Sequence, residues 1–406
     1  MQSYYKLLKY KSFFEKKFQI SLFFCTFAEK IELFDQKSGT FMHNSIFYSH
    51  LYRWYESNRR ILPWRETKDA YCIWLSEVIL QQTRVAQGMA YYMRFVERWP
   101  TVEALASADE AEVLREWQGL GYYSRARNLH KAAKMVVERG WSPFPARFEE
   151  IRSLPGVGEY TAGAIASFAY NAPYAAMDGN VYRVLARLFD IDEAFDTTAG
   201  KKRFRALMEE LLDKEHARLF NSAIMEFGAL YCTPSHVRSD DVQGTKGLEE
   251  KCPVCPLVDF CLGHAHGTAE LLPVRKPRPQ VRDRWFTYHV YVYQPSEVSY
   301  QPSELFTIIR RRENPKDIWY HLYEFPCEEM SHEPSAISHQ PSAGGNQLSF
   351  THVLSHQRLH ARFLIHRVER LPEIEGGIVI PWSELDQYAL SRLTLRALDT
   401  MGHKGW

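Results

Sequence analysis

From about Phe47 to Phe260, apolar residues recur at three- and four-residue spacings. TVEALASADEAEVLREW, RARNLHKAAKMVVE and FRALMEELLDKEHARLFNSAIMEFGAL carry that period and predict amphipathic helices. Ser or Asp marks their starts and Gly or Pro their stops, as at Gly119 and Pro173. The stretch LLPVRKPRPQVRDR, Leu271 to Arg284, then brings three prolines and five Arg or Lys with little apolar content, the composition of a linker. Beyond it the period falls to two, and WFTYHVYVY, ELFTIIRRR and LHARFLIHRV predict strands. An all-helical domain thus precedes a mixed, strand-rich one. The near-duplicates YQPSEVSYQPSEL and SHEPSAISHQPSA read as solvated loop insertions.

Length and charge sharpen this picture. A chain of 406 residues reads as two domains. A formal net charge of +1 means that nucleic-acid binding would need local basic surface on a balanced protein. Seven cysteines, clustered and odd in number, favour a reduced compartment with a metal site over a disulfide framework. No apolar run approaches the ~20 residues of a membrane span. FQISLFFCTFA, Phe18 to Ala28, imitates a signal-peptide core but is followed by Glu29 and Lys30 without a small-x-small cleavage site. Residues 1–41 are expected to be a non-native or upstream-translated extension, with Met42 as the start.

Three motifs point to chemistry. In LPGVGEYTAGA, the glycines at 156 and 158 permit a sharp turn, and the helix from about Tyr160 points free amides outward, an anion site that suits a DNA phosphate. A tight connection between two helices would look the same. WQGLGYYSRARNLHKAA echoes it with a shared Gly-apolar-Gly-x-Tyr core, Gly119 to Tyr123 against Gly156 to Tyr160. Asp178, eighteen residues after Tyr160, immediately precedes Gly179, Asn180 and a new amphipathic helix, where it could act as a cap or as a working carboxylate. Glu77 lies in an apolar helix among Trp74, Leu75, Val78, Ile79 and Leu80. Such a glutamate is costly unless paired, with Gln81 or an arginine, or kept protonated as a general acid.

LPWRE, WLSEVILQQTRV, GLGYYSRARNLHKAA, LPGVGEYTAGAIASFAY and MDGNVYRVLARLF, in this order, resemble the adenine DNA glycosylase (MutY) family of the helix-hairpin-helix glycosylases. The resemblance is dense from Leu62 to Cys261 and thinner beyond. It implies a mainly α core, a six-helix barrel plus an iron–sulfur cluster domain, followed by an α+β Nudix-like domain. The boundaries it suggests are 1–41 as extension, 42–267 as glycosylase domain, 268–285 as linker and 286–406 as the 8-oxoguanine recognition domain. It also implies a monofunctional enzyme of base excision repair, acting as a monomer in the cytoplasm at the nucleoid. Its partner would be double-stranded DNA with adenine opposite 8-oxoguanine or guanine, the adenine being flipped out. Glu77 matches the general acid, Asp178 the ionised carboxylate that stabilises an oxocarbenium-like sugar, and Tyr160 and Asn180 pocket residues supporting them. Gln82, Thr83 and Tyr122 match residues at the DNA, with Tyr122 as the wedge, and Leu154, Gly156, Val157 and Gly158 form the DNA-gripping hairpin. Tyr160 stands where strand-cleaving relatives carry a Schiff-base lysine, so little lyase activity is expected.

In the strand-rich region, FTHVLSHQRLHARF resembles the family's Phe-Ser-His reader, with Leu354 in the aromatic position and Ser355 and His356 retained. EFP, Glu324 to Pro326, suits a Nudix-like fold, but no Nudix hydrolysis box is visible, so a recognition module is expected. Spacing alone leaves Cys232, Cys252, Cys255 and Cys261 open to zinc or iron–sulfur. The resemblance implies a [4Fe–4S] cluster on all four. The family places six residues in the first gap where this chain has nineteen, which makes His264 and His266 alternatives to Cys232. The competing readings are a thymine-opposite-guanine mismatch glycosylase, which Glu77 disfavours, and a catalytically silent damage-binding protein.

Overall fold

A computed structural model describes residues 34–35, 40–41, 44–141, 143–234, 248–277, 281–295, 304–330, 347–354 and 356–402. The first helices are α1 (Asn44–Asn58), α2 (Pro63–Glu66), α3 (Ala70–Ile79) and α4 (Val85–Arg98). They are followed by α5 (Val102–Ser107), α6 (Glu110–Glu116), α7 (Ser124–Glu138) and α8 (Phe148–Arg152). Then come α9 (Glu159–Tyr170), α10 (Gly179–Leu188), α11 (Thr198–Leu211) and α12 (Ala217–Leu230). The expected helical runs are present, two of them broken. TVEALASADEAEVLREW divides at Ala108–Asp109, and FRALMEELLDKEHARLFNSAIMEFGAL divides after Leu211. Thr101, Asp178 and Thr197 cap α5, α10 and α11 with their side-chain oxygens.

The chain divides into two compact units that interleave along the sequence. One gathers residues up to Trp74, 146–153 and 157–276; the other gathers 75–145, 154–156 and 277–406. In the first, α12 is the central element, its Phe220, Ala223, Ile224 and Phe227 sealed against α1, α9 and α10. The stretch read as a linker is tied to this unit as far as Lys276, whose amide donates to Asp196 at 2.9 Å.

The second unit joins α4–α7 to a seven-stranded sheet. Its strands are β1 (Arg282–Tyr293), β2 (Phe306–Arg311), β3 (Tyr323–Glu324), β4 (Cys327–Met330), β5 (Gln347–Val353), β6 (Gln357–Val368) and β7 (Gly377–Pro381). The order is β3-β2-β1-β6-β5, with β4 on β1 and β7 on β2, and only β1 and β6 run parallel. Alternation puts Phe286, Tyr288 and Val290 of β1 and Leu359, Ala361 and Phe363 of β6 on the buried face. Helix α13 (Arg392–Gly402) lays Leu393, Ala397 and Met401 into the core at helical spacing. Four polar contacts fasten α6, the turn after it and α7 to this sheet domain. Glu110 meets His321 Nδ1 at 2.5 Å, Gln118 Oε1 accepts from the Leu390 amide, Tyr123 donates to the Leu390 carbonyl, and Arg127 donates to the Tyr320 carbonyl. No helix of the described residues is long and apolar enough to cross a membrane.

Helix α9 passes so close to the following segment that a Cβ on Gly163 would lie 2.6 Å from the Ala175 carbonyl oxygen. In an open helix, Gly→Ala gains about 1 kcal/mol. Here backbone overlap reverses the sign, so Gly163→Ala is expected to lower the thermal midpoint by roughly 2–8 °C. A midpoint at or above that of the parent protein would show that the Ala175 segment yields freely.

Candidate active site and thiol pocket

Asp178 has extended backbone geometry and begins α10 as its cap. Its Oδ1 accepts from the amides of Asn180 and Val181, both at 2.9 Å, and its Oδ2 accepts from Asn180 Nδ2 at 2.7 Å. Asn180 is fixed from the other side by Arg183, which donates to its Oδ1 at 2.8 Å. The sequence left open whether this aspartate caps or works; the cap itself aims and immobilises the carboxylate. Burial pushes the Asp178 carboxyl above its ordinary range, while the two helix amides, Asn180 and the Arg183 charge pull it back.

The same helix reaches the cysteines. Arg183 donates to the carbonyls of Cys232 at 2.7 Å and Gly228 at 2.6 Å. One turn later, Arg187 donates to the carbonyls of Ala269, Leu272 and Thr233 and to Cys232 Sγ at 3.2 Å. Cys232, Cys252, Cys255, Cys261 and His264 line one pocket with Arg187 and Leu257. His266 is engaged elsewhere, its Nδ1 2.7 Å from Asp190. Among the described residues, no group of three His, Cys, Asp or Glu side chains is arranged to hold a metal ion. Burial raises the Cys255 thiol and pushes that of Cys261 up to about 12, and neighbouring thiolate charge adds to both. The Leu257 amide donates to Cys255 Sγ at 3.4 Å. Four half-buried thiols that would repel one another once ionised, with amide and guanidinium donors at hand, fit a metal centre whose charge offsets theirs. Residues 235–247 of the long first gap lie outside the described residues.

Tyr160 lines a cavity of about 250 Å³ with Phe148, Tyr174, Met177, Tyr182 and Lys201. In the hairpin, Gly156 and Gly158 are exposed, whereas the side chains of Leu154 and Val157 are buried. The expectation that all four touch DNA thus narrows: Leu154 and Val157 anchor the turn, and only main chain is left to face a phosphate. Gly156 has a φ of 76°, and a Cβ there would lie 2.8 Å from Asn128 Cβ, so the turn is specific to glycine. Gly158 starts α9 without a side-chain cap.

In the other unit, Glu77 is 6 % exposed within α3. Gln82 and Tyr122 are exposed, and both adopt left-handed backbone, with φ of 56° and 48°. Thr83 is half-buried beside Arg125. His356 is exposed at the tip joining β5 to β6, where the Leu354 amide donates to the Gln357 carbonyl at 2.7 Å; Ser355 lies outside the described residues.

Sequence reading missed the residues that hold these groups. Arg125, Arg183 and Arg187 are buried arginines bonded largely to carbonyls, and fully buried Asn221 fixes the segment before Asp178 through the Ala176 amide and the Tyr174 carbonyl. The signal available was arginine at i and i+4 on the apolar side of VYRVLARLF.

Comparison with known proteins places this geometry. Residues 75–214 match the HhH-GPD superfamily base excision DNA repair protein family, and residues 302–400 match the NUDIX domain family. The adenine DNA glycosylase of Buchnera aphidicola subsp. Baizongia pistaciae is 32% identical over 289 residues, 70% of this chain and 74% of its own. That of Buchnera aphidicola subsp. Acyrthosiphon pisum is 29% identical over 82% of this chain and 89% of its own. The human adenine DNA glycosylase is 40% identical over 224 residues, 53% of this chain and 39% of its own.

A carboxyl group whose folded-state pKa is raised binds more protons folded than unfolded. Its ionised form therefore costs stability above the folded pKa, and the cost fades as pH falls toward about 4. Asp178→Asn, which retains capping ability, is expected to melt no lower than the parent at pH 7. Any margin should shrink as pH falls. A clearly lower midpoint at pH 7 would show that the carboxylate's hydrogen bonds outweigh its burial.

Proposed function

The chain belongs to the adenine DNA glycosylase family, and from that premise we propose that it hydrolyses the N-glycosidic bond of adenine opposite 8-oxoguanine, and opposite guanine, in double-stranded DNA. The observation that carries this reading is the fixed Asp178 carboxylate, held on both oxygens at the head of α10. In the reaction the adenine nucleotide leaves the base stack. Glu77 gives a proton to adenine N7, so that the base departs as a neutral leaving group. Asp178, kept ionised by the α10 amides and Asn180, stabilises the positive charge that develops on the sugar. Water then completes the hydrolysis at C1′. Tyr160, which has no amine, cannot form an imine with the opened sugar, so the strand is left intact. Gln82 and Tyr122 enter the duplex, Thr83 lies at the DNA beside them, and the main chain at Gly156 and Gly158 binds a backbone phosphate. Ser355 and His356 read the opposite 8-oxoguanine. The protein works as a monomer at the nucleoid of the cytoplasm.

We infer that Cys232, Cys252, Cys255 and Cys261 hold a [4Fe–4S] cluster. Such a centre takes one thiolate at each iron, and the four cysteines that line one pocket supply four. When bound it ties the α12 end to the segment after Cys252, and no step of the hydrolysis runs through it.

A glycosylase assay tests the reading. Adenine should be released opposite 8-oxoguanine and more slowly opposite guanine, with strand breaks only after alkali or heat. Asp178→Asn should bind the same duplex but lose at least about 10³-fold in excision. The Ser355→Ala, His356→Ala double variant should lose its preference for 8-oxoguanine. Release of thymine opposite guanine in place of adenine would reject the assignment. Metal analysis is a separate check: about four irons per chain with broad visible absorbance is expected, and stoichiometric zinc would reject the cluster.

A further inference from the structure

Helix α3 ends at Ile79, and its last carbonyls have no partner within the helix. They point to Arg125, which reaches in from α7. Its Nη1 donates to the carbonyls of Val78 and Ile79 at 3.0 Å and of Gln81 at 2.5 Å. The other arm of the fork turns to a second loop: Nη2 donates to the carbonyls of Gly121 at 3.2 Å and Leu120 at 3.5 Å. Both nitrogens lie within reach of Thr83 Oγ1, at 3.5 and 3.4 Å. The guanidinium is packed 5.0 Å over the Trp117 ring, and Trp117 Nε1 donates to the Gly121 carbonyl at 3.0 Å. Arg125 is 9 % exposed, and no carboxylate is bonded to it among the described residues. Burial pushes its pKa down to about 10, so it stays charged at neutral pH. The carbonyl end of the α3 dipole favours that charge.

Each loop that Arg125 grips carries one exposed residue in left-handed backbone, Gln82 in the first and Tyr122 in the second. L side chains adopt that conformation reluctantly, and it persists only where the surroundings impose it. We propose that Arg125 is the positioning residue of a two-loop wedge, holding the turns at Gln82 and Tyr122 in one fixed relation so that both side chains enter the duplex together. The proposal rests on the reading of Gln82 and Tyr122 as DNA-entering residues. A lysine keeps the charge but is a single point donor, and cannot span two loops as the planar fork does.

Arg125→Lys is therefore compared with the parent protein on two duplexes. In one, the target adenine has paired neighbours; in the other, mispaired neighbours already unstack it. Single-turnover excision and the fluorescence rise of 2-aminopurine beside the adenine are measured. Arg125→Lys should slow excision roughly ten- to hundredfold on the first duplex, with a matching loss of the fluorescence rise, and far less on the second. Added to Gln82→Ala, Tyr122→Ala, it should cause no further loss. Equal losses on both duplexes, or a full additional loss in the double-alanine background, would reduce Arg125 to a fold-stabilising residue. If Gln82→Ala, Tyr122→Ala unstacks the adenine as well as the parent does, the DNA-entering reading itself falls and the proposal with it. Should Arg125→Lys not fold, Trp117→Phe, which removes one of the two donors on the Gly121 carbonyl while leaving Arg125 in place, is expected to show the same duplex dependence at smaller size. A loss independent of flanking pairing would overturn the proposal there too.

Discussion

Helix α10 is held by two buried arginines that bond largely to main-chain carbonyls, and much of the first unit follows from that. Arg183 and Arg187, one turn apart, fix the chain at Gly228, Cys232, Thr233, Ala269 and Leu272. Each carbonyl left without its donor in a buried setting costs about 1–3 kcal/mol, so the five positions stand or fall together. Close approach is part of the arrangement: a Cβ on Gly228 would meet Asn180 at 2.8 Å, and one on Gly263 would meet the Arg187 carbonyl at 2.7 Å. Ten residues thereby carry a carboxylate at one end and the support of a thiol pocket at the other.

The second unit solves a related problem with the opposite emphasis. Its sheet domain uses paired charges, largely buried where Arg312 meets Asp317 and Glu324, each at 2.6 Å, and more open where Arg284 meets Glu329 at 2.6 Å. Such clusters fix geometry more than they add stability. Where flexible side chains must face outward, at Gln82 and Tyr122, the structure relies instead on carbonyls and one cation.

Much of this was legible from residue patterns. The change from helical period to alternation located the strands β1, β2 and β6, and Asp178 was recognisable from its place ahead of Gly179 and Asn180. The thiol cluster was visible as spacing. Hidden were the side chains whose partners are carbonyls, because a carbonyl leaves no mark in the sequence: Arg125 gives no sign of its acceptors, and Arg183 and Arg187 show only that they fall on an apolar face. Burial was equally hidden at Leu154 and Val157, whose motif says DNA but whose side chains serve the core. The break after Leu211 escaped periodicity because LDKEH can continue a helix by composition alone.

The interleaving of the units has a consequence for how the chain comes to be built. Tyr123 is buried with its hydroxyl on the Leu390 carbonyl, 267 residues downstream. At about 5–20 residues per second, the ribosome needs roughly 13–50 s to deliver that acceptor. Over that interval the surface of α6 and α7 that ends up against the sheet domain is left to water, and Glu110, Gln118, Tyr123 and Arg127 give the nascent helices a polar edge suited to the wait. The second unit is therefore completed only once Leu390 has been made, and its long-range closure is the step at which a slow or stalled ribosome would most expose the protein to misassembly.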